Sequence, residues 1–186
     1  MKVIVINGTA ETGKDKFVSF VKEITTELRI KNYSSIDRVK QIAEICFGWD
    51  GKKNDKSRRL LSEMKKVWSN FNDGPFDTIV DKIDIDLKWS KNAGKDISKN
   101  IYFLHVREPE EISKVKKHYG FDCITLLIRK NVDFIPDNYS DKNVEKFDYD
   151  YIVDNNFEIY CGNCDYVFGT YCGTDAYYGF EKYSSD

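Results

Sequence analysis

Val3-Ile4-Val5-Ile6-Asn7-Gly8-Thr9-Ala10-Glu11-Thr12-Gly13-Lys14-Asp15 is the stretch on which the fold turns. Its apolar run has no polar alternation, the pattern of a strand buried on both faces in a parallel sheet. Asn7-Gly8 ends the run. From Lys14 the period changes: Phe17, Val21, Ile24 and Leu28 recur at i, i+4, i+7 and i+11, one stripe of an amphipathic helix. A buried strand that passes through a glycine-bounded turn into such a helix is the opening of a βαβ unit.

The rest of the chain continues the alternation. A short strand is expected around Tyr33–Ile36, with Asp37 placed to cap a helix that carries Val39, Ile42, Ala43 and Cys46. Gly48–Lys53 reads as a loop. Asn54 or Asp55 opens a strongly periodic helix with Leu60, Leu61, Met64, Val67, Trp68 and Phe71 inward. Gly74-Pro75 breaks the chain before a helix marked by Phe76, Ile79, Val80, Ile83 and Leu87. Ile101–Val106 is a second long apolar strand. Glu108-Pro109-Glu110-Glu111 then starts a helix, with proline in its first turn and acids at the positive end of its dipole. Cys123–Ile128 is another buried strand. Arg129–Phe147 is polar and loop-like, with Ser140-Asp141 offering a helix cap, and Tyr151-Ile152-Val153 is a last short strand ending at Asp154-Asn155-Asn156. Strands alternating with helices predict right-handed crossovers and a parallel sheet covered on both faces. The expected fold is a three-layer α/β/α domain over residues 1–156. Residues 157–186 differ: they are rich in Tyr, Gly and Cys, hold Lys182 as their single basic residue, and read as a tail and not an independent domain.

A chain of 186 residues supports one sizeable core. Its net charge of -2 gives no basic field for a nucleic-acid polymer. Neither a signal-peptide pattern nor a membrane-spanning run is present, so a cytoplasmic protein is expected, monomeric or homodimeric, with no membrane partner. Five cysteines are an odd number for a fully paired scaffold. Cys46 and Cys123 read as small, buried apolar residues. Cys161-Gly162-Asn163-Cys164 followed by Cys172 has the opening of a zinc site, which needs a fourth ligand such as Asp165, Asp175 or a histidine. The other reading is an irregular tail with partly buried thiols.

Gly8-Thr9-Ala10-Glu11-Thr12-Gly13-Lys14 satisfies G-x-x-x-x-G-K at every fixed position. Backbone N–H groups of such a loop, at a helix N-terminus, converge on phosphate oxygens. Residues Gly8, Thr9, Ala10, Glu11, Thr12, Gly13, Lys14 and Asp15 are the candidate cradle for ATP. Lys14 would reach the β- and γ-phosphates. The alternative is a strand-to-helix turn whose glycines serve geometry alone. Asp15 stands where Ser or Thr ordinarily meets Mg²⁺, so the metal would be held by a carboxylate or through a water. Glu11 adds a negative charge to an anion loop unless its side chain turns to solvent.

Gly13-Lys14-Asp15 resembles the phage-type deoxynucleoside monophosphate kinases and the animal-type phosphomevalonate kinases. The resemblance continues through Ser35-Ile36-Asp37, Val39-Lys40, Phe47-Gly48-Trp49-Asp50-Gly51, Asp55-Lys56-Ser57-Arg58-Arg59, His105-Val106-Arg107-Glu108-Pro109 and Tyr149-Asp150-Tyr151-Ile152-Val153-Asp154-Asn155. It implies a P-loop NTPase fold with five strands ordered 2-3-1-4-5. It also implies a mobile acceptor-binding region after the second strand, a short lid from Arg129, and ATP-dependent phosphoryl transfer to a small phosphorylated acceptor such as a (deoxy)nucleoside monophosphate.

Phosphoryl transfer requires cations from several elements to converge. Arg107 lies just past a buried strand, where ligands bind in open α/β sheets, and either contacts phosphate or pairs with Glu108, Glu110 or Glu111. Arg58 and Arg59 fall off the apolar stripe and read as a solvated face; the resemblance places them on the acceptor. Asp37 caps its helix or, by the resemblance, orients the acceptor. Arg129 closes over the transferring phosphate or is a solvated strand end. Asn155 is placed near the adenine by the resemblance, and Glu108 is a candidate helper for Mg²⁺. His105, in an apolar strand, reads as a hydrogen-bonded core residue and not a base. Rival functions are a kinase for a non-nucleotide acceptor such as phosphomevalonate, and a catalytically weak nucleotide-binding sensor, motivated by Glu11 and the missing Ser/Thr.

Overall fold

Val3, Val5 and Ile6 have no more than 1% of their surface exposed, as the unbroken apolar run requires of a strand covered on both faces. They lie in β1 (Lys2–Asn7), the central strand of a five-stranded parallel sheet. The computed structural model describes residues 1–52, 54–130 and 143–155. In chain order β1 is followed by α1 (Lys14–Ile24), β2 (Arg29–Ser34), α2 (Asp37–Phe47), α3 (Asp55–Asn72) and α4 (Gly74–Asn92). Then come β3 (Asn100–His105), α5 (Pro109–Tyr119), β4 (Cys123–Arg129) and β5 (Tyr151–Asp154). The order across the sheet is β2-β3-β1-β4-β5, the order expected, in an α/β arrangement with helices against the sheet. The register sets Ile6 against His105 on one side and against Leu126 on the other. The Ser140-Asp141 cap and the Cys161, Cys164 and Cys172 cluster lie outside the described residues.

Two compact units divide the chain: Met1–Asn32 with the chain from Lys99 onward, and Tyr33–Ser98. In the first, strand alternation sorts side chains to two faces. Ile6, Phe103, Leu126 and Ile128 form one cluster with Val18 of α1, and the Phe17 ring meets that of Phe103 edge-on. On the other face, Thr125 bonds Asp150, which the Lys116 ammonium of α5 grips at 2.7 Å. α5 therefore covers the face opposite α1, and buries Ile112 and Val115.

The second unit has its own core, with Val39 and Ala43 of α2 against Leu61 of α3. Asn54 caps α3, its side chain accepting from the Ser57 N–H at 2.8 Å. α3 passes into α4 through Asp73, held at φ 55, and Gly74, where an added Cβ would stand 1.8 Å from Trp68 Nε1.

Several expectations need correction. β2 begins at Arg29, ahead of Tyr33, because Arg29 Nε donates to Asn100 Oδ1 at 2.8 Å and Ile30 packs on the core; an edge strand needs little apolar content to pair. α1 stops at Ile24, short of Leu28, where Thr25 caps it with its N–H and its hydroxyl both donating to the Val21 carbonyl. Asp37 is the first residue inside α2, not its cap: its carboxylate accepts from the Ser34 N–H, ahead of the helix. Cys46 is exposed, as are Val67 and Phe71 of α3, because the α2–α3 core closes around Val39, Ala43 and Leu61 and leaves these positions on the outside.

Candidate functional site

The chain leaves β1 toward β2 at one edge of the sheet and leaves β3 toward β4 on the other side, so the C-terminal ends of β1 and β3 flank the switch point where open α/β sheets take ligands. The glycine loop sits there. Gly8 has φ 149, and an added Cβ would lie 2.3 Å from the Ile128 carbonyl oxygen and 2.7 Å from Thr12 Oγ1. Only glycine lets the backbone approach this closely. Gly13 has φ 91 and forms the N-cap of α1 without a side-chain bond, so N–H groups of the first turn face the loop. Glu11, at φ 63, is exposed, so its charge turns to solvent.

Lys14 folds back over the loop: Nζ donates to the carbonyls of Gly8 at 2.7 Å and Thr9 at 2.5 Å and to Thr12 Oγ1 at 3.3 Å. The Thr12 hydroxyl in turn donates to the Thr9 carbonyl at 3.2 Å. Carbonyl-held, the ammonium is fixed at the mouth of the loop. Asn155 supports the same loop from β5. Its side-chain amide donates to the Thr12 carbonyl at 3.1 Å, and its N–H to the Arg129 carbonyl at 2.7 Å.

Asp15 opens outward, with 92% of its side chain exposed, and its carboxylate lies 3.6 Å from His105 Nε2 at the end of β3. The imidazole is 16% exposed, so the histidine borders the site and is not a core residue in the sense expected. A glycine cradle, a fixed ammonium and an outward carboxylate fit a polyphosphate and its hard divalent cation.

The other site residues divide. Arg107 follows β3 at the same end of the sheet, and its carbonyl accepts from Asn7 Nδ2 at 3.1 Å. Glu108 is the N-cap of α5, with its carboxylate 3.5 Å from Asn143 Nδ2. Arg129 is clasped by Asp154, Nε to Oδ1 at 2.8 Å and Nη2 to Oδ2 at 3.2 Å, with Glu145 at 3.8 Å. The Asp154 hydrogen bond chiefly holds the guanidinium above its ordinary range, against a smaller opposing effect of burial. Asp37, Arg58 and Arg59 belong to the second unit. Asp37 lies 3.7 Å from the Lys40 ammonium, Arg59 pairs with Glu63 at 2.8 Å, and Arg58 is exposed. Among the described residues no cluster of three His, Cys, Asp or Glu side chains could hold a metal, and no helix is long and apolar enough to cross a membrane.

Sequence reasoning passed over Asn7 and Tyr149. Asn7 is 1% exposed and donates to Tyr149 Oη at 2.6 Å. The available signal was a polar residue closing a wholly apolar strand, directly before a glycine.

No family model matches the chain, and no curated protein matches it by sequence. Among solved structures, a provisionally designated kinase from Chloroflexus aurantiacus is similar over 69% of this chain, with 14% identity and a TM-score of 0.37. The chain spans only 59% of that protein's length. The APS kinase of Mycobacterium tuberculosis is similar over 78% of this chain and 92% of its own, with 16% identity and a TM-score of 0.31.

Proposed function

We propose that this chain is an ATP-dependent phosphotransferase acting on a small phosphorylated acceptor, with (deoxy)nucleoside monophosphates the first candidates. The observation that supports this reading best is the loop between β1 and α1: two glycines in left-handed backbone, one with no room for a Cβ, and Lys14 anchored on the loop's own carbonyls. A strand-to-helix turn that served geometry alone would need no ammonium folded over it.

Bound Mg·ATP supplies the phosphoryl group and a divalent charge. The chain's residues do the rest. N–H groups from Thr9 to Asp15 bind phosphate oxygens over the Gly8 turn, and Lys14 neutralises charge that builds on the β–γ side. Asp15, exposed at the start of α1, holds the cation directly or through a water, beside His105. Arg107, at the end of β3, orients the acceptor phosphate. Arg129 reaches a transferring phosphate only by exchanging Asp154 for it, so its part is secondary to that of Arg107.

The test is ADP release from Mg·ATP across all common ribo- and deoxyribonucleoside monophosphates, with phosphomevalonate included. Turnover with one or a few nucleotides is expected. Turnover with phosphomevalonate alone would move the acceptor class. Tight ATP binding without turnover on any acceptor would instead support a nucleotide sensor, and absence of ATP binding would remove the reading altogether.

A further inference from the structure

Asn7 closes β1 inside the core, with every hydrogen-bonding group of its side chain engaged. Its Oδ1 accepts the Gly8 N–H at 2.8 Å. Its amide nitrogen donates to the Arg107 carbonyl at 3.1 Å and to Tyr149 Oη at 2.6 Å. The orientation of the amide is forced, because a backbone N–H can only donate and a backbone carbonyl can only accept. Tyr149, 8% exposed, passes the sequence on: its hydroxyl donates to the Val144 carbonyl at 2.8 Å, and its ring meets Phe147 edge-on with centroids 5.2 Å apart. Burial, more than the nearby Glu145 charge and against the Asn7 hydrogen bond, pushes the phenol up to about 12, so it remains a donor at neutral pH.

From the phosphate loop the same connections can be followed outward. Gly8 is held through both of its backbone groups, its N–H by Asn7 Oδ1 and its carbonyl by the Lys14 ammonium. One side chain therefore touches both Gly8, the residue whose carbonyl anchors Lys14, and the carbonyl of Arg107. A third contact, to Tyr149, removes its freedom to rotate. Buried networks of this kind specify one geometry when fully satisfied and fail when one member is lost.

We infer that Asn7 and Tyr149 are positioning residues, which hold the Lys14 and Arg107 chain segments in one register for phosphate binding. The inference rests on the phosphate-site reading above and adds two residues that touch no phosphate.

The experiment compares wild type, Tyr149→Phe and Val115→Ala, the last a buried α5 truncation away from the network, matched by its loss of Tm. Amide hydrogen exchange at Gly8, read without nucleotide, should accelerate about tenfold or more in Tyr149→Phe and stay near wild type in Val115→Ala. The Kd for Mg·ATP should rise about tenfold in Tyr149→Phe and less than about twofold in the control. If Gly8 exchange in Tyr149→Phe matches the control, the network is merely structural and the inference is overturned. If exchange accelerates while ATP affinity is unchanged, the hold on Gly8 does not serve phosphate binding, and the inference fails in that form. If wild type binds no ATP while Gly8 still loses protection, the hold on Gly8 is supported and the phosphate-site reading falls. Should Tyr149→Phe not fold, Asn7→Ala, which removes the acceptor of the Gly8 N–H, carries the same expectations.

Discussion

Gly8 and Lys14 make opposite demands on substitution, and the contrast separates stability from chemistry. At Gly8 a methyl group would meet the Ile128 carbonyl at 2.3 Å, a strand backbone atom that cannot swing aside cheaply. Gly8→Ala should cost about 2 kcal/mol or more, read as a fall in Tm, and an unchanged Tm would contradict the packing described. On the proposed phosphoryl-transfer reading, Lys14→Ala should leave the circular dichroism spectrum intact and reduce turnover by about 100-fold or more, since it removes a fixed cation from charge that would develop during transfer. Surviving activity would refute the phosphate-loop assignment. Glu11 sits in left-handed backbone at φ 63, so Glu11→Gly should stabilise by about 0.5–1 kcal/mol in urea unfolding; a loss would mean its side chain makes a needed contact. These residues were legible because a loop motif is local in sequence. The Asn7–Tyr149 bond spans 142 positions, and no period or motif links its ends. The Asp15–His105 approach was hidden for the same reason: it depends on β1 and β3 lying side by side.

At the scale of elements, the joint between β4 and β5 is polar where the rest of the sheet is apolar. Asp150 accepts from the Thr125 N–H and hydroxyl, both at 2.8 Å, and from Lys116. Burial works to raise its carboxyl, and these partners outweigh it, so the net displacement is downward. Its contribution is thus present above the ordinary carboxylate range and lost as pH falls through the lower folded value. Asp150→Ala should cost about 1–3 kcal/mol at neutral pH, because Thr125 is fully buried and loses its acceptor. A urea midpoint equal to wild type would show the joint to be dispensable. Cys123, at the start of β4, behaves in the opposite sense: burial, aided by Asp150, pushes its thiol up to about 11 from 9.0. Folding then loses stability as pH rises from about 9 through 11, and Cys123→Ala should flatten that part of the profile. The strand and helix types followed from periodicity, but the ends did not. β2 was misplaced because an edge strand announces itself weakly, and the stripe on α3 promised more burial than its neighbours supply at Val67 and Phe71.

For the whole molecule, the division into two units carries its own expectation. Tyr33–Ser98 has a separate apolar cluster around Val39, Ala43 and Leu61, so its amides should exchange as one cooperative set, distinct from those of β1, β3 and β4. A single opening free energy shared by all would show one cooperative body instead. The alternation of strands and helices identified the parallel sheet and the resemblance supplied its order, while the separate core of the second unit was not visible, because periodicity shows which face is apolar and not which partner covers it. The manner of insertion has a further consequence. Asn32 lies in β2 and Lys99 just before β3, neighbouring strands that run the same way. The two splice points are therefore at opposite ends of their strands, and no tight hairpin can join them. A recombined gene that drops or exchanges residues 33–98 must bring a crossover of about a dozen residues with it. Modular exchange at this position would be filtered by linker length before any selection on chemistry began.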